Sequence, residues 1–289
     1  MKLYSVESKR QKLDGGAMFG HVPKALWSQW VTCDEHNRVD LVCRCLLLKT
    51  ATHTILFEAG IGPFMAPDLA ERYGIQGQGD LLTHLKEKGV SEEGIDYVIL
   101  SHLHFDHIGG LIPAWPGMED PHWQPHFPNA TYVVGKVQYE RAACPHLRDR
   151  ASYVSELTEK LRQTGRLVLV DSESPGIAEL NDHMRFRFTE GHTPGSMHAI
   201  IRGEQETVFF AADLIPGTPW LHLPIATGYD RYPEQSINEK KTILEQAVKE
   251  NWLVFYTHDV QVSASRVAMN EKDNYQVNAP MDVLDEFNL

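Results

Sequence analysis

The stretch SHLHFDHIGG, residues 101–110, constrains this chain more than any other feature of its sequence. It places three histidines and an aspartate within six positions, directly after the apolar run Tyr97–Leu100. An apolar run of this kind predicts a buried strand, and the polar side chains that follow it then lie at the edge of a sheet. Because His102 and His104 are two residues apart, an extended segment points both rings to the same side. The stretch is therefore either half of a metal site or a polar surface loop.

The second half of the stretch offers two more side chains of ligand type. Gly109 and Gly110 permit the chain to turn, so that Asp106 and His107 face a second ion. A dinuclear hydrolytic site needs two ions about 3.5–4 Å apart, held by imidazole and carboxylate groups. The remaining ligands of such a site must come from other parts of the chain.

Three candidates for the remaining ligands each follow an apolar run. His192 lies in the turn-rich segment EGHTPGS, Asp213 follows the run Val208–Ala212, and His258 follows the run Trp252–Tyr256. Any one of these residues, taken alone, is more often structural than a ligand. In combination with the first stretch, each is predicted to be a metal ligand at the end of a strand.

Apolar runs predict nine strands, in groups separated by helical patterns. They are Leu41–Leu48, Thr54–Glu58, Tyr97–Leu100, Thr131–Val134, Leu167–Val170, Met184–Phe188, Ser196–Ile201, Thr207–Ala211 and Trp252–Tyr256. One helix is predicted over Leu81–Lys88 with Asp80 as its N-cap. A second is predicted to begin where Ser236 and Glu239 have the spacing of a capping box. Because helices follow groups of strands, the pattern favours stacked sheets with outer helices over a doubly wound parallel sheet.

The whole chain, residues 1–289, is predicted to form a single domain. Its hydrophobic content of 42% allows a large core. Residues 112–128, IPAWPGMEDPHWQPHFP, contain five prolines and are predicted to form a stiff active-site loop. Residues 14–31 are predicted to form an N-terminal loop segment.

Composition excludes several classes of partner. Acidic residues outnumber basic ones, 39 against 27, and the formal net charge is −12. This charge argues against binding to nucleic acid, which needs a basic patch, and against binding to an anionic membrane. The four cysteines form no CxxC pair, which favours a reducing compartment. With neither an apolar signal sequence nor an apolar run of about 18 residues, the protein is expected to be cytoplasmic.

Four short motifs, HLHFDH, GHTPGS, AADLI and YTHD, resemble in this order the metal motifs of the metallo-β-lactamase-fold hydrolases. The resemblance implies an α/β (α+β) fold, a four-layer αββα sandwich of two mixed β-sheets flanked by helices. It also implies that seven residues bind two ions. They are His102, His104 and His192 for one ion, Asp106, His107 and His258 for the other, and Asp213 as the bridge.

One position departs from the family pattern. The strand before the first motif usually ends in an Asp-Thr-Gly-like turn, whose aspartate supports the metal histidines. Here the residues are Phe57–Gly60, FEAG. Glu58 has one methylene more than aspartate and is predicted to supply the same outer acceptor, which fixes the tautomer of a ligating imidazole.

The run DGGAMFG, residues 14–20, resembles the quorum-quenching N-acyl homoserine lactonase-like branch of the family. The expected reaction is the opening of lactones or related carboxylic esters by a hydroxide that bridges two divalent ions. Zinc is the expected metal, with iron, manganese and cobalt as alternatives. Asp106 is expected to be catalytic, since it can carry a proton to the leaving alkoxide. The alternatives are a phosphodiester or organophosphate hydrolase on the same metal pair and a ligand-binding protein without chemistry.

Some lactonases carry a tyrosine three residues after the bridging aspartate, where this chain has Pro216. The ion at His102, His104 and His192 must then polarise the carbonyl, or another group such as Tyr229 must. Apolar and aromatic residues of predicted loops are candidates for the substrate pocket, although each could equally be a packing residue. They are Met18, Phe19, Trp27, Trp115, Trp220, Leu221 and Tyr229. The apolar N-terminal segment, together with the resemblance, also predicts a homodimer with this segment at or near the interface.

Overall fold

The computed structural model of the protein describes residues 1–76, 80–171, 177, 180 and 183–289. The strands are β1 (Lys2–Asp14), β2 (Arg38–Lys49), β3 (Thr54–Phe57), β4 (Tyr97–Leu100), β5 (Thr131–Gly135), β6 (Leu167–Val170), β7 (Met184–Thr189), β8 (Ser196–Arg202), β9 (Thr207–Phe210), β10 (Leu253–Phe255), β11 (Ala264–Met269), β12 (Tyr275–Met281) and β13 (Phe287–Asn288). The helices are α1 (Gly15–Phe19), α2 (Lys24–Trp27), α3 (Pro67–Arg72), α4 (Leu81–Glu87), α5 (Phe105–Ile108), α6 (Lys136–Ala143), α7 (Leu157–Gln163) and α8 (Pro233–Glu250). Within the described residues, none of these helices has the length and apolar content that a membrane span requires.

The strands form two mixed β-sheets. The first has the order β13-β1-β2-β3-β4-β5-β6, with β2 and β3 antiparallel and β3 to β6 parallel. The second has the order β12-β11-β10-β9-β8-β7, in which β9 and β10 are parallel and the other neighbours antiparallel. Two mixed sheets accompanied by helices are what the resemblance implies, and the predicted α/β class is confirmed.

Each of the nine predicted strands coincides with a strand of the structure. The predicted N-cap of α4 is also confirmed, because the Asp80 carboxylate accepts a hydrogen bond from the Thr83 N–H at 3.0 Å. The sequence prediction missed β1, β11, β12 and β13. In β1, the buried positions include the polar residues Ser8 and Gln11. Apolar and polar residues therefore do not alternate along this strand, and the pattern that predicts a strand is absent from it.

The predicted capping box of α8 is wrong. This helix begins at Pro233, because a proline in the first turn already has the φ angle of a helix and needs no N–H partner. Ser236 therefore lies inside the helix. The Glu239 carboxylate instead accepts hydrogen bonds from the backbone N–H groups of Glu190 at 2.8 Å and Gly191 at 3.0 Å.

The chain divides into two compact units. Unit 1 consists of Met1–Gln11 and Val42–Asp171, and unit 2 consists of Lys12–Leu41 and Ser172–Leu289. In unit 1 the apolar core includes the inner side chains of β3, β4 and β5 together with those of α4 and α7. In unit 2 it includes side chains of α1, α2, α8, β9 and β10. The single domain over residues 1–289 stays a prediction.

Residues 14–31, predicted as a loop, contain α1 and α2 and contribute to the core of unit 2. The Phe19 ring stacks on Trp27 with 5.3 Å between ring centroids and on Trp220 with 4.7 Å. The Trp220 Nε1–H donates to the Met18 carbonyl at 3.0 Å. Helices of five and four residues are not stable alone, and these contacts stabilise them. The loop prediction is therefore wrong for both helices. Residues 112–128, in contrast, contain only one short 3₁₀ helix, Gly117–Glu119, as their prolines predict.

Candidate metal centre

The pairing of β3 with β4 delivers the first group of ligand-type side chains, which belongs to unit 1. The two strands are parallel, and Phe57 lies opposite Ile99. Their C-terminal ends therefore meet at the same edge of the sheet. Glu58 directly follows β3, and residues 101–104 directly follow β4. A carboxylate and two imidazoles reach this edge from neighbouring strands.

The histidines of the HLHFDH motif form a buried cluster. The ring centroids of His102 and His104 are 4.5 Å apart, and those of His102 and His107 are 4.0 Å apart. The Ser101 hydroxyl lies 2.8 Å from His102 Nδ1 and orients that ring. One ligand atom each of Glu58, His102 and His107 lie within 4.8 Å of one another.

Glu58 is fully buried and has a left-handed backbone with φ of +66°. A residue other than glycine rarely adopts this conformation, and it is found mostly where a side chain must be aimed. The Glu58 Oε1 atom accepts a hydrogen bond from the Ser101 N–H at 3.0 Å, and Oε2 lies 3.7 Å from His107 Nδ1. Its carboxylate thus lies behind the motif, where an outer acceptor for a ligating imidazole would lie.

Gly109 and Gly110 are needed for close packing of the backbone. Added Cβ atoms would lie 1.8 Å from the Ile61 carbonyl oxygen and 2.1 Å from the Ala59 carbonyl oxygen, respectively. Both distances are impossible contacts, so any other residue would displace the turn that carries His107. The sequence prediction assigned these glycines a role in turning, and the structure gives close approach as the physical reason.

The Asp106 carboxylate is oriented by a residue from the other end of unit 1. The Gln11 Nε2–H donates to Asp106 Oδ2 at 2.6 Å, and both side chains are buried. The Asp106 Oδ1 atom lies 3.8 Å from His107 Nε2. Gln11 lies on the unpredicted strand β1, and a lone glutamine 95 residues from its partner carries no spacing signal.

The parallel pair β9 and β10 delivers the second group, which belongs to unit 2. Phe210 lies opposite Phe255, so the segments that follow both strands start at the same sheet edge. Asp213 lies in the 3₁₀ helix Ala212–Leu214 after β9, and His258 follows β10. The Asp213 carboxylate faces two histidines, with Oδ1 at 3.1 Å from His258 Nε2 and Oδ2 at 3.3 Å from His192 Nε2. This carboxylate therefore presents one oxygen to each imidazole.

His192 has an outer carboxylate partner that the sequence prediction missed. Its Nδ1 atom lies 2.9 Å from Asp230 Oδ1, and the Thr227 hydroxyl donates to the same oxygen at 2.7 Å. Because a carboxylate only accepts hydrogen bonds, Nδ1 carries the proton and Nε2, which faces Asp213, is left as the ligand atom. A single aspartate in a turn, 38 residues from its partner, shows no pattern in the sequence.

The chemistry of both groups fits divalent ions. Imidazole rings packed at this distance in a buried site repel one another when charged. A divalent ion instead binds neutral imidazole nitrogens and carboxylate oxygens, which are the groups present here. Asp230, at 2.9 Å from His192 Nδ1, is the kind of outer carboxylate partner that metal-ligating histidines have.

The predicted pocket residues fall into two sets. Five are buried in the core of unit 2: Met18, Phe19, Trp27, Trp220 and Leu221. Trp115 and Tyr229 are exposed, by 39% and 38%. A pocket of about 220 Å³ in unit 2 is lined by Trp220, His258 and exposed Trp30, among others. At Pro216, where some lactonases have tyrosine, the backbone carbonyl accepts a hydrogen bond from the His258 N–H at 2.9 Å.

Comparison with known proteins gives one family match. The sequence profile of the metallo-beta-lactamase superfamily matches residues 38–258, which is more than half of the chain. The N-acyl homoserine lactonase of Bacillus cereus is 25% identical over 273 residues, which cover 90% of this chain and 94% of the relative.

Solved structures give the same fold. A probable metal-dependent hydrolase from Staphylococcus aureus is 25% identical, with a TM-score of 0.85 and coverage of 99% of this chain and 98% of that one. The dizinc quorum-quenching lactonase AidC, in complex with a product, is 20% identical, with a TM-score of 0.76 and coverage of 96% and 93%. At this identity the likeness to AidC shows a shared fold alone.

Proposed function

This chain belongs to the metallo-beta-lactamase superfamily and is a hydrolase of it, and from this premise we propose that it opens lactones or related carboxylic esters with two divalent metal ions. The observation that carries the proposal is the Asp213 carboxylate, which presents one oxygen each to His192 and His258. We assign one ion to His102, His104 and His192, the other to Asp106, His107 and His258, and the bridge to Asp213. Zinc is the proposed metal, because the ligands are imidazoles and carboxylates.

The residues of the chain have distinct tasks in this reaction. When bound, the two ions supply Lewis acidity, which activates a water and polarises an ester carbonyl. Asp106, held by Gln11 at 2.6 Å, moves a proton to the leaving alkoxide. Asp230 fixes the tautomer of His192 through a 2.9 Å contact, and we assign Glu58, whose Oε2 lies 3.7 Å from His107 Nδ1, the same task for His107.

The basic residues near the motifs support a carboxylic ester over a phosphodiester. A phosphoryl substrate gains from arginine or lysine side chains close to its oxygens. Here Arg141 binds Asp149 at 2.7 Å, and Arg202 lies 3.7 Å from Glu250. Both guanidinium groups therefore have carboxylate partners. The relatives named N-acyl homoserine lactonase add support for a lactone substrate.

A turnover panel tests the proposal. Metal-reconstituted protein is assayed with N-acyl homoserine lactones of several chain lengths, aryl esters, thioesters, phosphodiesters and organophosphates. We expect at least one lactone to exceed every phosphodiester with a comparable leaving group in kcat/KM, and His102→Ala to abolish that turnover. If phosphodiesters or organophosphates exceed every lactone, the alternative hydrolase replaces the proposed one.

We further propose a homodimer with the N-terminal segment at or near its interface. Although most large side chains of this segment are buried, Leu26 is 51% exposed and Trp30 is 41% exposed. Large apolar side chains that are exposed close together often mark a protein interface. Light scattering at micromolar concentration should give the mass of a dimer, and Leu26→Glu should shift it toward the monomer. A wild-type monomer under these conditions contradicts the proposal.

A cytoplasmic location is proposed from the cysteines. Cys33, Cys45 and Cys144 are free thiols, and Cys45 is buried in unit 1 together with Cys43. Free thiols persist in reducing compartments, whereas exported proteins of this size more often pair them. Cell fractionation should recover the protein with cytoplasmic markers, and its recovery with secreted markers would reject this location.

A further inference from the structure

Helix α8 contacts both chain segments that bring His192 and Asp230 together. Two neighbouring residues of this helix, Glu239 and Lys240, have opposite charges and bind backbone groups of different segments. Neither residue belongs to the proposed set of ligands. Their contacts show how the hydrogen bond between His192 and Asp230 is set.

Glu239 holds the segment that leads into His192. Its Oε1 and Oε2 atoms accept hydrogen bonds from the N–H groups of Glu190 at 2.8 Å and Gly191 at 3.0 Å. The fit is close, because a Cβ atom on Gly191 would lie 2.3 Å from the Ser236 hydroxyl and 2.4 Å from the Ser236 nitrogen. The backbone immediately before His192 therefore lies directly on α8.

Lys240 holds the segment that leads into Asp230. Its Nζ atom lies 2.9 Å from the Trp220 carbonyl, 3.2 Å from the His222 carbonyl and 2.6 Å from the Ile225 carbonyl. Three acceptors use all three N–H groups of an ammonium. The side chain is 2% exposed, and burial lowers the pKa of Lys240 to about 7, with the Asp230 charge opposing this shift.

A buried lysine is costly as a packing residue. Methionine would fill a similar volume without the desolvation of a cation. What lysine adds is the set of three carbonyl contacts and a positive charge on the Asp230 side of the helix. The residues between these carbonyls and Asp230 include Thr227, whose hydroxyl donates to the Asp230 carboxylate.

The two segments are also joined through their backbones. The Arg231 N–H donates to the His192 carbonyl at 3.1 Å, and the Tyr232 N–H donates to the Gly191 carbonyl at 2.9 Å. The hydrogen bond between His192 and Asp230 thus joins two backbone segments that both form hydrogen bonds with α8. A shift of either segment would change the distance between His192 Nδ1 and the Asp230 carboxylate.

We propose that Glu239 and Lys240 are positioning residues for His192, an anion and a cation that together fix the His192–Asp230 hydrogen bond and through it the affinity for one metal ion. This inference rests on the proposed metal centre. Outer partners of ligating histidines contribute about 10- to 100-fold to metal affinity. Glu239 and Lys240 act on the hydrogen bond of such a partner, so we expect a loss of up to this size when either residue loses its charge.

The test is metal affinity, measured by competition with a chelator, in wild type, Lys240→Met, Glu239→Gln and His192→Ala. The matched controls are Lys241→Met and Glu245→Gln, exposed residues of the same helix whose charged atoms lie 3.8 Å apart. We expect one of the two ions to bind more than about twofold and up to about 100-fold more weakly in Lys240→Met and Glu239→Gln. The other ion and both controls should stay within about twofold of wild type.

A double variant separates positioning from general destabilisation. If Lys240 acts through Asp230, then Lys240→Met combined with Asp230→Asn should bind the ion no more weakly than Asp230→Asn alone, whereas independent effects would multiply. Should Lys240→Met fail to fold, Glu239→Gln and its combination with Asp230→Asn give the same comparison. Wild-type affinity in both single variants, with a clear loss in His192→Ala, overturns the positioning role but leaves the metal centre intact. A wild-type protein that binds no ion overturns the proposed function itself.

Discussion

Replacement of Phe19 by alanine should remove a large part of the stability of unit 2. The Phe19 ring is 0% exposed and lies between the rings of Trp27 and Trp220, with interplanar angles of 7° and 12°. Phe-to-Ala changes in a core cost about 3–5 kcal/mol. Each lost stacking contact contributes about 0.5–1.5 kcal/mol beyond buried area, so we expect the upper part of that range. Since whole domains have only about 5–15 kcal/mol of stability, such a loss is easily measured.

Urea denaturation followed by far-UV circular dichroism measures this loss, because the peptide backbone dominates that signal. Val283→Ala is the control, since Val283 also lies in unit 2 but is 64% exposed and should change stability by less than about 0.5 kcal/mol. The reasoning is refuted if Phe19→Ala loses less than about 1 kcal/mol and instead raises KM. The ring would then face the substrate, which is one of the two roles that the sequence allowed, and not the core.

Three further predictions concern the site and its surroundings. Asp213→Asn should lower kcat/KM by more than the roughly 100-fold expected for a supporting residue and by more than His258→Ala, because in the proposed centre its charge would lie between both ions. Kinetics at matched metal loading decide this, and a larger loss in His258→Ala would mean that the bridge is misassigned. Gln11→Met should lower kcat/KM about 10- to 150-fold at matched metal loading, because a buried carboxylate, Asp106, loses a hydrogen bond of about 1.5–3 kcal/mol. Unchanged kinetics would reject the proposed role of Gln11. Burial lowers the pKa of His198 to about 4, below its usual value of 6.5. The unfolded state therefore binds more protons between these two pH values, and the free energy of unfolding falls as pH falls. Urea denaturation of metal-free protein between pH 6.5 and pH 4 should show that wild type loses up to about 3 kcal/mol of unfolding free energy, a loss that His198→Gln lacks. Parallel pH dependence in both proteins would contradict this prediction.

The sequence predicted those strands of the fold whose residues form an apolar run. Apolar runs such as Tyr97–Leu100 gave the strands, because burial on both faces requires continuous apolar residues. Ligand-type residues directly after such runs then gave the candidate site. In β1 the buried face includes Ser8 and Gln11, so the same rule finds no strand there.

The missed supporting residues have a different cause. Gln11 and Asp230 act through single hydrogen bonds to partners 95 and 38 residues away. Such contacts depend on tertiary structure and leave no spacing in the sequence. The same holds for Phe19, whose aromatic ring indicates a pocket or a core equally well until its partner Trp220 is known.

The interleaved chain order of the two units has a consequence for synthesis on the ribosome. Unit 2 begins with Lys12–Leu41 and is completed only by Ser172–Leu289, after all of unit 1 has been made. Met18 and Trp220, which share a hydrogen bond, are 202 residues apart. At a synthesis rate of about 5–20 residues per second, the apolar side chains of α1 and α2 lack their packing partners for about 10–40 s. Nascent chains arrested before Trp220 should therefore be cut by protease within residues 12–41 and bound by chaperones, and this sensitivity should disappear once the later segment has emerged.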